Sequence, residues 1–518
     1  MATTNPYEPS LLKPGAADAA AESLGQQPTN VRREVLALAC SLSMITYLDR
    51  VCFGAAGTLI TQELGLASEG DLAGAYTAFA ISYGALEVPS GWWGDVRGAR
   101  RVLIRIVLWW SLFTAITGLV GLKIAGLTLG GLTTLTVVRF LFGAGEAGAY
   151  PNIAKAIRNW FPAHERGAAQ GWVWMAGRLM GGLTPLIWMF LVRGTEWTDP
   201  LVSWRAAFWL FGLLGLFWCL VFAWRYRDRP EEHPHTNQAE RDLIAAGSNK
   251  LVVAGLPTRH VVAGLPTVPP TDKLDDSHAN VPWLKLVTSP SLWCLYVMYF
   301  CATYGWYFNI TYLSGCLEKR YGVLPTSIVG SLYKGGPLWL GAAGCILGGY
   351  LTDRLLRGGA GRRTARRLPG IVGHALCAGC YLAAAYMPDA FSFFVAISLA
   401  AFCNDLMMGS AWATCQDIGG RYTAVLAGSM NSVGALGAAA AGWFSGMILK
   451  HYELVHANAA GVAIGQLPPE LHATALVDGY SANLLIYAAV YVVATLCWLG
   501  IDPAHSIDAT TKADDAQP

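Results

Sequence analysis

The chain has 518 residues, of which 54% are hydrophobic and only 14% charged, and its mean hydropathy is +0.39. Soluble globular domains carry about a quarter of their residues as charges, so this composition excludes an ordinary water-solvated protein and points to lipid as the solvent. A net charge of +2 supplies no bulk field to recruit nucleic acid.

Residues 1–33 are polar and rich in Pro and Ala, without the charged start and short apolar core of a secretory leader, and are expected to form a cytoplasmic tail. Stretches of about 20 apolar residues follow, each long enough to cross a hydrocarbon core of about 30 Å. They are read near 34–60, 72–94, 102–122, 132–156, 166–192 and 203–225, and again near 290–312, 328–352, 368–387, 390–412, 422–448 and 480–501. This predicts an all-α polytopic membrane protein of twelve helices. A first six-helix bundle covers 34–225, a cytoplasmic linker 226–289, a second bundle 290–501 and a tail 502–518. The linker is proline-rich and repeats VVAGLPT at 252–258 and 261–267, which fits a tolerant, flexible loop. A second polar stretch, 451–479, is expected outside. Most cysteines fall in apolar segments, and Cys316 is placed in an external loop. The Cys377/Cys380 pair lacks a second ligand pair, so no disulfide framework, metal or other cofactor is expected.

Charge sets the orientation. The loops assigned inside carry Arg32/Arg33, Arg97/Arg100/Arg101, Lys155/Arg158/Arg166, Arg225/Arg227/Arg229 and a run of six arginines from Arg354 to Arg367. Those assigned outside carry far fewer. Basic inner loops predict both termini in the cytoplasm of a multi-pass plasma membrane protein.

The two halves echo each other. GWWGDVRGARR at 91–101 closes the second span and GGYLTDRLLRGG at 348–359 closes the eighth, with Asp95 and Asp353 placed 258 positions apart. Matching frames after equivalent spans are what two parallel repeats produce. At Gly91, Asp95, Gly98, Arg100 and Arg101, echoed by Gly349 and Asp353, the chain resembles the major facilitator superfamily. That resemblance implies a cytoplasmic gate in which the carboxylate meets a helix start among arginines. YLDRVCFGAA (47–56), RFLFGAGEAGAYPN (139–152), NWFPAHERGAAQG (159–171), SWRAAFWLFG (203–212), RDRPEEHP (227–234) and GSMNSVGALGA (428–438) further resemble the anion:cation symporter family of hexonate, hexuronate and organic-anion carriers.

A charge at the bilayer centre costs about 2.5–3.5 kcal/mol, so each one calls for a reason. Asp49 and Arg50 fall midway along the first span, Arg139 and Glu146 in the fourth. The last two are seven residues apart, on one helix face but about 10 Å apart along the axis. Arginine keeps its charge and offers a planar fork to a carboxylate, whereas a desolvated carboxylate takes up a proton more readily. Protonating the acid would free the arginine for an anion. The resemblance assigns proton coupling to Asp49 and Glu146, a charged cavity to Arg50 and Arg139, and substrate contact to Asn431. Arg50 is expected to take the substrate carboxylate, and Arg139 to hold Glu146.

Arg178 in the fifth span is a candidate second anion contact, for a dicarboxylate, or a partner of Glu87. Asp405 is read as either a cavity residue or a partner to a helix end. Tyr83, Trp306, Tyr307 and Asn309 would suit a polyhydroxylated solute, although aromatics at membrane level also serve packing. No nucleophile elbow, HExxH or phosphate-cradling loop is present, which argues against an enzyme. The expected function is proton-coupled symport of a small organic anion such as a sugar acid, by a protein working as a monomer in the bilayer. Exchange, sodium coupling or a non-transporting solute sensor are the alternatives.

Overall fold

A computed structural model describes residues 27–66, 69–124, 127–194, 199–249, 281–324 and 327–508; the repeated heptapeptide lies outside them. Backbone polar groups in lipid must be satisfied within their own segment, and the chain answers with helices. Before the linker these are α1 (Val31–Ala55), α2 (Ala73–Arg97), α3 (Ala99–Thr117), α4 (Leu132–Glu146), α5 (Ala149–Trp160), α6 (Arg166–Trp188) and α7 (Trp204–Arg225). In the linker lies α8 (Gln238–Asn249). After it come α9 (Pro290–Thr311), α10 (Leu313–Tyr321), α11 (Ile328–Arg357), α12 (Arg362–Ala385), α13 (Ala390–Asp405), α14 (Met408–Gly419), α15 (Thr423–Ala460) and α16 (Pro469–Gly500). A two-residue strand pair, Lys123–Ile124 against Leu127–Thr128, closes the turn between α3 and α4.

Among the described residues, six helical stretches, including Val31–Ala55, Trp204–Arg225 and Pro469–Gly500, are long and apolar enough to cross a membrane by themselves. Other rods are broken, carry charges, or are diluted with Gly, Tyr and Trp. The packing repeats itself. α1 lies on α6 as α9 lies on α15, α2 on α4 as α11 on α13, and α3 on α7 as α12 on α16. The halves then meet through α2 against α15 and, equivalently, α6 against α11.

Four expectations need correction. The stretch 132–156 is not one helix, because α4 stops at Glu146 and α5 restarts at Ala149. Gly148 between them has a φ of +86°, and a Cβ there would lie 2.3 Å from Ser90 Oγ, so the left-handed turn and the close approach both require glycine. The stretch 390–412 is likewise broken, with α13 ending at Asp405 and α14 starting at Met408. Secondly, much of 451–479 is helix that prolongs α15 and α16, tied by His456 to Asp478 at 2.9 Å and by His472 to Glu453 at 3.1 Å. Thirdly, Cys316 is fully buried in α10 rather than in a loop, since that short helix folds its apolar face back on the bundle. Fourthly, the start of the linker is docked. Glu240 of α8 is buried and accepts from the Arg32 backbone N–H at 3.1 Å and from Arg32 Nη1 at 3.2 Å, which neutralises the start of α1.

Candidate functional site

Three clusters of polar side chains lie where the halves meet or face one another. The first is built by α1, α2 and α4. Arg50 Nε donates to Glu146 Oε1 at 2.5 Å, with Glu146 almost wholly buried and the Arg50 side chain 27% exposed. The Arg50 guanidinium rests 4.5 Å from the Tyr83 ring centroid, and its Nη2 has no hydrogen-bond partner. Glu146 Oε2 has none either. Glu146 is the last residue of α4, and the negative end of a helix favours a cation beside it.

Arg139 therefore does not hold Glu146, as expected from sequence; Arg50 does. Two turns along one helix keep Arg139 from a direct contact, whereas Arg50 comes from the facing helix. Arg139 is packed among phenyl rings instead, 4.2 Å from the Phe53 centroid and 4.4 Å from that of Phe142, with Nε unpartnered. Asp49 is buried, and neither of its oxygens has a hydrogen-bond partner. It faces Thr114 and Trp110 of α3, inside the first half, with Arg139 and Glu146 in electrostatic reach. Asp49, Arg139, Glu146 and Arg50 thus form an alternating row of charges.

The second cluster crosses between halves. Asn431 Nδ2, on α15, donates to Tyr83 Oη at 2.9 Å and to Glu87 Oε1 at 2.8 Å, both on α2. Arg178 does not pair with Glu87. Its Nε and Nη2 reach Asp405 Oδ2 and Oδ1 at 2.8 and 3.2 Å, and its Nη1 donates to Tyr47 Oη at 2.5 Å. Its guanidinium lies 3.7 Å from the Trp306 centroid, so Asp405 pairs with a side chain rather than a helix end. Asn309 sits beside Tyr381 of α12, within the second half rather than between the halves.

The third cluster closes the end of the molecule that carries both ends of the described chain. Asp95 accepts from the backbone N–H groups of Ala424 and Val425, at 3.2 and 2.8 Å, at the start of α15, and from Lys155 Nζ at 2.7 Å. Asp353 accepts from Gly167 and Ala168 N–H, at 3.1 and 2.6 Å, at the start of α6, and from Arg366 Nη1 at 3.1 Å. Each carboxylate caps a helix of the opposite half. Glycines allow the approach: a Cβ on Gly91 would stand 2.3 Å from Ala424 O, and one on Gly349 2.5 Å from Gly167 O. Arg100 and Arg101 do not join this latch. The Arg100 backbone N–H donates to Asp228 Oδ1 at 2.9 Å, which fixes the start of α3 to the loop after α7, and Arg101 is exposed.

Sequence reasoning missed several participants. Asp417 links Arg366, at 2.9 Å, with Arg166, at 3.4 Å. Above the latch, Tyr150 stacks on Trp174 at 4.3 Å, and Trp412 lies 5.3 Å from Trp174. Each of these aromatics looks like ordinary membrane packing in the sequence, and Tyr47 gave no signal beyond lying one turn before Arg50.

The family model described as Major Facilitator Superfamily matches residues 39–442. The chain is 30% identical over 409 residues to a probable sulfoacetate transporter of Cupriavidus necator, covering 79% of this chain and 85% of the relative. It is 26% identical to a probable galactarate/D-glucarate transporter of Bacillus subtilis, over 78% and 82% of the two chains. Identity to a probable L-galactonate transporter of Escherichia coli is also 26%, over 76% and 78%. Among solved structures, the proton:xylose symporter XylE bound to 6-bromo-6-deoxy-D-glucose superposes with a TM-score of 0.60 at 14% identity, covering 90% of this chain and 95% of that one. A bacterial homologue of the human lysosomal transporter Spinster, inward-facing and unoccupied, gives a TM-score of 0.56 at 20% identity, over 92% and 98%. At such identities these likenesses establish the fold alone.

Proposed function

Because the chain belongs to the major facilitator superfamily, we propose that it carries a small organic anion across the plasma membrane by alternating access, coupled to protons. The observation that carries this reading is the Arg50–Glu146 pair, in which a partly exposed guanidinium is occupied by the protein's own buried carboxylate at 2.5 Å. A proton on Glu146 removes its charge and releases Arg50, whose fork then suits a carboxylate or sulfonate of the solute. With Glu146 ionised, the same fork is filled and the solute leaves. Asp49 and Arg139 extend the row of charges, so a proton taken at one acid alters the field at the other. Neither step forms a covalent bond.

Tyr83, Asn431 and Glu87 supply hydroxyl, amide and carboxyl groups from both halves, which suits a hydroxylated acid. Of the substrates named for the relatives, galactarate or glucarate and galactonate are hydroxylated acids, and sulfoacetate is a small organic anion without alcohol hydroxyls. The basic loops support a reading with both termini in the cytoplasm; on it the latched end is the inner one and the conformation is closed to the cytoplasm.

Uptake of labelled hexonate, hexarate and sulfoacetate into proteoliposomes under an imposed pH gradient tests the proposal. Glu146→Gln is expected to lose proton-driven accumulation while retaining counterflow, and Arg50→Ala to weaken solute affinity by about tenfold or more. Accumulation at the wild-type level in Glu146→Gln would refute the coupling role, and normal affinity in Arg50→Ala the substrate role.

A further inference from the structure

We propose that Arg178 is a second anion anchor, that Asp405 is the carboxylate vacating it, and that the solute is therefore a dianion with an acidic group at each end. This rests on the reading of Arg50 as the first anchor.

Four observations converge. First, the geometry at Arg178 is that of a filled anion receptor. Nε and Nη2 make two parallel bonds to Asp405, at 2.8 and 3.2 Å, and the guanidinium lies 3.7 Å from the Trp306 centroid. A carboxylate or sulfonate of a solute would meet the same fork and the same aromatic floor. Second, the pair is not needed to hold one bundle together, because α6 belongs to the first half and α13 to the second. Asp405 also sits in a made niche: a Cβ on Gly341 would lie 2.5 Å from its Oδ2, and Asn404 Nδ2 donates to its Oδ1 at 2.9 Å.

Third, the acids of the two pairs are related by the internal repeat, although the arginines are not. Asp405 lies 259 positions after Glu146, against 258 between Asp95 and Asp353. Each acid is the last residue of the first piece of a broken rod, α4 or α13, followed at once by a second piece of 12 residues, α5 or α14. Asp405 therefore occupies in the second half the place that Glu146 occupies in the first. Fourth, the two arginines serve one space. Arg178 Nη1 donates to Tyr47 Oη at 2.5 Å, and Tyr47 and Arg50 are three residues apart on α1, on the same face of the helix. A solute that reaches Arg50 with one end lies beside Tyr47, and its other end is directed to Arg178.

Loading then requires both internal carboxylates to leave their arginines. A proton on Glu146 frees Arg50, and the two charges of the solute take the places of Glu146 and Asp405 at the arginines. Because Asp405 and Trp306 are on the second half, filling this anchor also replaces a bond between the halves with bonds through the solute.

Matched pairs of acids that differ by one charged end provide the test: glucarate against gluconate, and sulfoacetate against acetate. Affinity is read from the ligand-induced shift of thermal unfolding of the purified full-length protein and from counterflow competition in proteoliposomes. The wild type is expected to prefer the dianion of each pair. The double variant Arg178→Gln/Asp405→Asn removes both charges together and so strands neither in the bilayer. It should lower the ratio of dianion to monoanion affinity by about tenfold or more. Asp405→Asn alone, which removes the internal competitor, should tighten dianion binding. Preference for the dianion persisting undiminished in the double variant, or absent from the wild type, would overturn the proposal. If no acid shifts the wild-type protein at all, it is the organic-anion reading that fails; if Arg50→Ala loses gluconate and glucarate alike while the double variant loses only the glucarate advantage, both readings stand.

Discussion

Gly91→Ala isolates the latch from the rest of the fold. The added methyl would sit 2.3 Å from Ala424 O and 2.8 Å from the carbonyl carbon behind it, where ordinary van der Waals contact needs about 3.5 Å. Both neighbours are backbone of the opposite half, so no side chain can swing aside. Relief requires α2 and α15 to part by about 1 Å, and overpacking of that size costs about 1–3 kcal/mol. The cost falls only on the conformation in which these helices touch, so the population open at this end should rise by about five- to 150-fold. Cys345 provides the readout. It is fully buried, and a Cβ on Gly171 would lie 2.4 Å from its carbonyl oxygen, which places it on the equivalent seam between α6 and α11. In a background with the other cysteines replaced, its labelling by a membrane-permeant maleimide should accelerate by that factor. Gly145→Ala is the control, since its Cβ would strike Trp109 Cδ1 at 1.9 Å within the first half; it should lower the unfolding temperature without faster labelling. Gly91→Ala that labels at the wild-type rate, or behaves as Gly145→Ala does, would refute the reasoning.

Further outcomes follow from the same contacts. Asp353→Asn removes the charge that caps α6 and pairs with the fully buried Arg366, a loss of about 3 kcal/mol; Cys345 labelling should accelerate and transport should slow, and unchanged values for both would contradict the latch. If the Tyr150, Trp174 and Trp412 rings above the latch help to seal the passage, Trp412→Ala should raise solute leak down a gradient while Cys345 labelling rises less than in Asp353→Asn; a tight variant would argue against that sealing role. In the loop after α7, burial pushes the His233 imidazole below its ordinary value, against a hydrogen bond to Arg225 O. The folded loop thus holds its proton less tightly than the unfolded one, its stability is complete above pH about 6.5 and falls as pH drops below that value. The protection factors of the amides over 226–236, taken relative to intrinsic exchange at each pH, should fall between pH 7.5 and 5.5, and His233→Asn should flatten the dependence.

The latch acids were legible in the sequence because their information is local. Gly91 and Asp95 fall within five residues, and the frame recurs at Gly349 and Asp353, so a close approach and a cap can be read without knowing what is approached. The central charges were legible as a set and not as pairs. Sequence gives the axial spacing of Arg139 and Glu146 along one helix, but the partner of Glu146 is decided by which face of α1 lies opposite, and that is a property of packing. Arg178 and Asp405 are 227 positions apart with no shared pattern, so their pairing had no local trace. The interruptions after Glu146 and Asp405 were hidden because the apolar run continues through both turns, and hydropathy registers neither the left-handed Gly148 nor the short right-handed turn at Leu406 and Met407.

Those interruptions give α5 and α14 a mechanical character of their own. Each is a rod of 12 residues, about 18 Å long, that starts three residues after a buried acid, Glu146 or Asp405. Tyr150 rides on one and Trp412 on the other, with Lys155 midway along the first and Asp417 near the tip of the second. A tilt of about 5° at its start would move the far end of such a rod by about 1.5 Å, more than the parting of about 1 Å that one added methyl demands at the Gly91 seam. Changes too small to matter at the acids are therefore magnified at the seal, and the seal's tolerance sets how far the acids can move before the passage changes sides.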